Sequence, residues 1–271
     1  MTERFLHKKS LGQHFLNSDY VPKKMCDAAE LTPGETVFEI GPGTGILTKE
    51  LLVRGVFVTA LEADLRAIEV LERDFAPEIE KGTLKIHHGD AREIDFSALN
   101  LANQQFKVVA NIPYYLSGLL FRQLLESTVQ PSLLVFLIQK ELAERIARDK
   151  KESLLSLSIE AFGTPTYICT ISRSHFNPPP KIDSAIVKIG DINKDYFTTF
   201  TSEQFFTILH EAFKSKRKQL VGNLSVMFKR EDLLACLSNI GLKPDVRAED
   251  ISLPQWQTLV VQLLSTNSPH R

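Results

Sequence analysis

Val37-Phe38-Glu39-Ile40 runs into Gly41-Pro42-Gly43-Thr44-Gly45 and then into Ile46-Leu47-Thr48-Lys49-Glu50-Leu51-Leu52. An apolar run, a glycine loop and a helical pattern in that order read as strand, turn and helix, the opening unit of a doubly wound α/β sheet. Gly41 and Gly43 let the backbone turn tightly and approach a ligand, and Gly45 is expected to let the helix start pack near the sheet. In the next unit, Val56-Phe57-Val58-Thr59-Ala60-Leu61 ends in Glu62, where an acidic side chain accepts both hydroxyls of a ribose. A third run, residues 83–88, delivers Gly89-Asp90-Ala91. Asp90 at that strand end can accept a hydrogen bond from an adenine amine, or it can cap a helix in the segment that follows. A fourth run, Val108-Val109-Ala110, closes on Asn111-Ile112-Pro113-Tyr114.

The chemistry of these strand ends separates two cofactor classes. The loop is Gly-x-Gly-x-Gly rather than Gly-x-Gly-x-x-Gly, and Glu39 sits just before it, one residue from Gly41 across Ile40. A carboxylate is unfavourable beside a pyrophosphate, whereas S-adenosylmethionine has no phosphate and carries a cationic sulfonium and ammonium. The Asn111 side-chain oxygen and the Ile112 carbonyl can accept the two hydrogens of a planar exocyclic amine, Pro113 stiffens the turn, and Tyr114 offers a stacking face. The same tetrapeptide also serves as an ordinary strand-end turn. Its place at the sheet edge shared by Glu39, Glu62 and Asp90 favours the ligand reading, because open parallel sheets bind ligands there.

With that order and spacing, the residues resemble the ribosomal RNA adenine N6,N6-dimethyltransferases of the KsgA (RsmA) type, relatives of the Erm resistance methyltransferases. The resemblance runs over nearly the whole chain. Lys9-Ser10-Leu11-Gly12-Gln13-His14-Phe15-Leu16 is similar to the family's cofactor-covering segment, and Phe176-Asn177-Pro178-Pro179-Pro180-Lys181-Ile182-Asp183-Ser184-Ala185 to its proline-rich loop. Ala212-Phe213-Lys214-Ser215-Lys216-Arg217-Lys218-Gln219-Leu220 looks like the basic segment of its helical domain, and Arg247-Ala248-Glu249-Asp250-Ile251-Ser252 like a late motif. Two departures are His14, where the family often has Asn, and Lys151-Glu152-Ser153-Leu154-Leu155-Ser156, which lacks a Tyr-Gly carried by many members.

The resemblance implies S-adenosylmethionine as cofactor, held by His14, Leu16, Glu39, Gly41, Gly43, Glu62, Asp90, Ala91 and Asn111. It implies a catalytic corner of Asn111, Ile112, Pro113 and Tyr114, with Phe176 as the second ring of a sandwich around an extruded adenine. RNA contacts fall to Lys8, Lys9, Lys181, Lys214, Lys216, Arg217 and Lys218. The implied substrate is a pair of adjacent adenines in a hairpin near the 3′ end of 16S rRNA, in the small subunit or its precursor. Three alternatives stay open: an Erm-type enzyme acting on 23S rRNA, a protein glutamine methyltransferase, and an assembly checkpoint in which methylation is secondary.

The expected fold class is α/β: a Rossmann-like methyltransferase sheet over 1–195, followed by a small all-helical domain over 196–271. Residues 131–138 have the length of a buried central strand, and 166–171 and 185–189 read as an antiparallel pair at one sheet edge. At 271 residues and 43% hydrophobic composition the chain can bury two cores. No apolar run approaches the roughly 18 residues of a membrane span, and residues 1–9 have no signal-peptide core. A cytoplasmic monomer is expected. Cys26, Cys169 and Cys236 are isolated, which predicts free thiols and no metal. The net charge of -1 conceals basic clusters over 4–24 and 214–230 that suit phosphates.

Overall fold

Each apolar run singled out in the sequence forms a strand in the computed structural model, which describes residues 15–215 and 217–266. Lys8, Lys9, His14 and Lys216 therefore lie outside the described residues. The strands are β1 (Phe15–Leu16), β2 (Thr36–Ile40), β3 (Phe57–Glu62), β4 (Leu84–His88), β5 (Lys107–Asn111), β6 (Leu133–Gln139), β7 (Thr164–Ile171), β8 (Phe176–Asn177) and β9 (Ser184–Gly190). Seven of them make one sheet in the order β4-β3-β2-β5-β6-β9-β7. The first five run parallel, and β9 lies antiparallel between β6 and β7.

Alternation along the strands sends apolar side chains to both faces of this sheet, the signature of a sheet covered on both sides. Val37, Val109, Val135 and Leu137 join Val21, Met25 and Cys26 of helix α1 (Tyr20–Ala28) in one core cluster. Phe38, Val108, Ala110 and Phe136 are buried as well. Phe38 meets Phe106 edge-on, and Phe136 packs on Phe121 with centroids 5.1 Å apart. The other helices of this unit are α2 (Ile46–Val53), α3 (Leu65–Asp74), α4 (Ala76–Glu80), α5 (Ser117–Glu126) and α6 (Lys140–Ala147).

Gly45 has a different packing reason from the one the sequence implied. It caps α2 at φ 80°, and a Cβ there would stand 2.5 Å from a Phe75 ring carbon and 2.8 Å from Leu71. The neighbour that excludes a side chain is thus the end of α3, not the sheet.

The chain divides into two compact units, Met1–Ala147 with Thr164–Ile192, and Arg148–Gly163 with Asn193–Arg271. The second unit contains α7 (Leu154–Glu160), α8 (Ser202–Phe213), α9 (Leu220–Leu224), α10 (Arg230–Asn239) and α11 (Leu253–Thr266) around Trp256, Phe205, Leu259 and Leu157. A single boundary at 195 does not describe this division, because α7 packs with the later helices through Leu157 and Ala161. Where the family's Tyr-Gly is missing, Ser153 and Ser156 form a reciprocal capping box that starts α7. The cap of α8 is Thr201, paired reciprocally with Gln204.

Substitution of Gly45 by Ala should cost about 2–5 kcal/mol, combining a left-handed backbone with overpacking. Gly118, inside α5 with open space around it, should tolerate Ala with a gain of about 0.5–1 kcal/mol. Urea unfolding of both variants checks the contrast.

Candidate functional site

The strand order reverses between β2 and β5, since the chain steps outward through β3 and β4 and then returns to continue on the other side. A crevice opens where carboxyl ends diverge in this way. It holds a cleft with a cavity volume of about 160 Å³. Leu16, Glu39, Gly41, Gly43, Glu62, Asp90 and Ala91 line it, and so do Asn111, Ile112, Pro113, Tyr114 and Phe176. The strands thus bring together every candidate cofactor and target-base residue that is described.

Glu39 is 1% exposed, and its Oε2 accepts a 2.7 Å bond from the Thr48 hydroxyl on α2. Burial pushes its carboxyl up from an ordinary 4.5 to about 8, the Thr48 bond opposes that rise, and nearby Glu62 adds to it. Such a group gains from a cation. Arg92 is the one lysine or arginine lining the cleft among the described residues, and it is bound to Asp90.

Glu62 first braces its own surroundings. Oε2 accepts the Gly43 N–H, and Oε1 accepts the N–H groups of Ala63 and Asp64, each at 2.9 Å. Gly43 itself has φ 57°, and a Cβ there would sit 3.0 Å from the Phe15 ring. Of the roughly four acceptor positions of a carboxylate, one is left for a ligand hydroxyl, fewer than a two-hydroxyl grip requires.

Asp90 caps a turn rather than a helix: the Arg92 N–H donates to Oδ1 at 2.8 Å, and no helix begins in the residues that follow. The Arg92 side chain holds both carboxylate oxygens. Those bonds keep the Asp90 carboxyl below the usual carboxylate range, so it is charged at neutral pH.

At the end of β5 the polar groups divide into braced and unengaged ones. The Tyr114 hydroxyl and the buried Ser184 hydroxyl share a 2.7 Å hydrogen bond, which ties the corner after β5 to the end of the proline-rich loop. By contrast, no hydrogen bond to the Asn111 side chain or to the Ile112 carbonyl forms among the described residues. Antiparallel pairing of β1 with β8 sets Leu16 opposite Phe176, and Asn17 adds bonds to the carbonyls of His175 and Ser174. Phe176 is 3% exposed and belongs to the core cluster, forming a fixed wall of the cleft.

The sequence reading missed Thr48, Arg92, Ser184 and Tyr115. Thr48 carried the clearest signal, a hydroxyl in the first turn of a helix whose strand ends on a carboxylate. Of the candidate RNA contacts, Lys181 is exposed on the proline-rich loop, and Lys214, Arg217 and Lys218 are exposed after α8. Lys214 pairs with Glu211 at 3.2 Å. No group of three His, Cys, Asp or Glu side chains that could hold a metal occurs among the described residues. No helix of the described residues is long and apolar enough to cross a membrane. Cys26 is buried, which pushes its thiol up to about 12.

A family model described as ribosomal RNA adenine dimethylase matches residues 4–264. A ribosomal RNA small subunit methyltransferase A from Dehalococcoides mccartyi is 35% identical over 265 residues, spanning 97% of this chain and 89% of the relative. One from Fusobacterium nucleatum is 34% identical over 261 residues, 94% of this chain and 97% of the relative. Among solved structures, a dimethyladenosine transferase from Plasmodium falciparum superposes with a TM-score of 0.77 at 27% identity, covering 94% of this chain and 98% of that one. The 23S rRNA methyltransferase ErmE superposes with a TM-score of 0.70 at 22% identity over 92% of this chain and 99% of its own, a likeness of fold.

Between pH 4.5 and about 8 the unfolded chain releases a proton from Glu39 that the folded protein keeps. The stability owed to this group is therefore full below pH 4.5 and declines as pH rises to about 8. Glu39→Gln abolishes that titration. In the absence of ligand its urea stability should exceed that of the unsubstituted protein by a margin growing from pH 5 to pH 8, on the order of a few kcal/mol. A margin independent of pH would count against the assignment.

Proposed function

Because the chain belongs to the ribosomal RNA adenine dimethylase family, we propose that it methylates N6 of two adjacent adenines in a hairpin near the 3′ end of 16S rRNA, using S-adenosylmethionine. The substrate is the small subunit or its precursor in the cytoplasm, and the enzyme works as a monomer. The observation that carries the reading is the pair of unengaged acceptors, Asn111 and Ile112, in the same cleft as the buried Glu39. The small-subunit methyltransferases among its relatives favour 16S rRNA over an Erm-type target.

The donor set fits S-adenosylmethionine better than a dinucleotide, since two buried carboxylates face the cleft and its lining cation is already engaged. When bound, S-adenosylmethionine supplies a methyl group on a cationic sulfur that leaves as a neutral thioether. Glu39 would hold the ammonium, whose charge would stabilise the ionised carboxylate. Glu62 would accept a ribose hydroxyl through its remaining lone pair, and Asp90 and Ala91 would hold the adenine. Leu16 and Gly41 close the walls, with His14 in the covering segment.

The target amine is a poor nucleophile because its lone pair is delocalised into the purine. The Asn111 side-chain oxygen and the Ile112 carbonyl accept its two hydrogens and fix its direction, while Pro113 holds the turn. Tyr114, immobilised through Ser184, and Phe176, immobilised in the core, provide the ring faces that offset the cost of extruding the base. The amine becomes acidic as it gains the methyl, so a carbonyl or water takes its proton and no dedicated base is needed. Most of the acceleration comes from positioning and from fixed dipoles.

Tritiated methyl transfer to small-subunit particles from a strain lacking the enzyme, followed by nucleoside analysis, should yield dimethyladenosine. Methyl incorporation into protein, or into 23S rRNA alone, would defeat the proposal. In that assay Asn111→Ala should lower kcat by at least about 100-fold. Turnover near that of the unsubstituted enzyme would refute the role given to the amide.

Lys181, Lys214, Lys216, Arg217 and Lys218, with Lys8 and Lys9, are the proposed phosphate contacts. Alanine at Lys214, Arg217 and Lys218 together should flatten the dependence of log affinity on log salt by about 0.7–0.9 per lost phosphate contact. Binding to the particles titrated across potassium chloride concentrations measures that slope.

A further inference from the structure

Of the large apolar side chains left exposed among the described residues, Tyr115 alone also lines the cleft. It is 63% exposed, whereas its neighbour Tyr114 is half-buried and bonded to Ser184. Both rings stand on the 3-10 turn Tyr114–Leu116, where successive residues point about 120° apart. One tyrosine therefore faces inward at the catalytic corner while the next faces out at its lip. One helical turn on, Leu119 of α5 is 38% exposed, extending the apolar ridge. Arg92, with its side chain 65% exposed, lines the same cleft and is paired with Asp90.

An exposed aromatic face at the lip of the cleft matches an unstacked nucleobase, since single-strand binding surfaces hold successive bases by stacking them on such rings. We infer that Tyr115 is a stacking platform for the nucleotide next to the target adenine, holding that neighbour out of the hairpin while the target is turned in against Tyr114. The inference rests on the function proposed above and deepens it, making Tyr115 a positioning residue for RNA without a part in cofactor binding.

The test compares Tyr115→Leu and Tyr115→Phe in methyl transfer to unmethylated small-subunit particles, alongside S-adenosylmethionine binding by calorimetry. Tyr115→Leu should lower kcat/KM for the particles about 10-fold, equal to about 1.4 kcal/mol. Tyr115→Phe should stay within about two-fold of the unsubstituted enzyme, and cofactor Kd should stay within about two-fold in both variants. Particles reconstituted with an abasic nucleotide on one side of the target, tested in turn on each side, supply a second arm. On the side that stacks, the abasic change should impair the unsubstituted enzyme about 10-fold and leave Tyr115→Leu unaffected, because the two changes remove one interaction. Unchanged kcat/KM in Tyr115→Leu, equal damage by Phe and Leu, or additive losses on both sides would overturn the platform alone. Absence of methyl transfer by the unsubstituted protein would overturn the platform together with the function beneath it.

Discussion

The hydrogen bond from the Gly43 N–H to the Glu62 carboxylate joins the loop after β2 to the end of β3, and the shape of the cleft follows from it. Glycine is required at 43 because the backbone is left-handed there and Phe15 stands against the place of a Cβ. Glu62 is held in turn by the N–H groups of the next two residues. At 6% exposure, those three backbone donors satisfy a carboxylate that would otherwise be left buried without partners. Next to it, Glu39 has a single hydroxyl partner, and burial pushes its carboxyl up toward neutrality against that one bond. The two acids thus do different physical work: one builds the loop, and the other is poised to respond to positive charge.

A second contrast runs through the β5 corner. Tyr114 and Phe176 are fixed, one through Ser184 and the other through core packing, so neither pays much ordering entropy when a ring lies against it. The Asn111 amide and the Ile112 carbonyl have no competing donor among the described residues. An unengaged acceptor held by a rigid strand end is preorganised for an incoming N–H, and preorganisation lets fixed dipoles lower a barrier without reorganising during the reaction. Within the proposed function, rigidity and vacancy are divided between walls and acceptors in the sense the chemistry needs.

The order of strands, the glycine loop and the acidic strand ends were legible in the chain because each is a local pattern: period-two burial, turn chemistry, a charge at a boundary. Residues 131–138 show this well, since six successive buried positions, 133–138, leave no other reading of β6 than a central strand. The antiparallel placement of β9 was legible too, because a short proline-rich connection cannot cross over a sheet. What the pattern misjudged was local structure decided by distant partners. Gly45 is kept free of a side chain by Phe75 at the end of α3. Helix α7 joins the helices after 193 through Leu157 and Ala161, contacts separated by tens of residues.

By itself, then, the sequence determined which residues stand at strand ends and what charges and dipoles they carry, since a strand's register and its terminal residue are written in contiguous positions. Only the tertiary structure decided how those groups are occupied: Glu39 by Thr48, Glu62 by Gly43, Tyr114 by Ser184. Local spacing places a side chain, but its hydrogen-bond partner and its burial depend on which remote segments the folded sheet brings within three ångströms, and no local rule contains that distance.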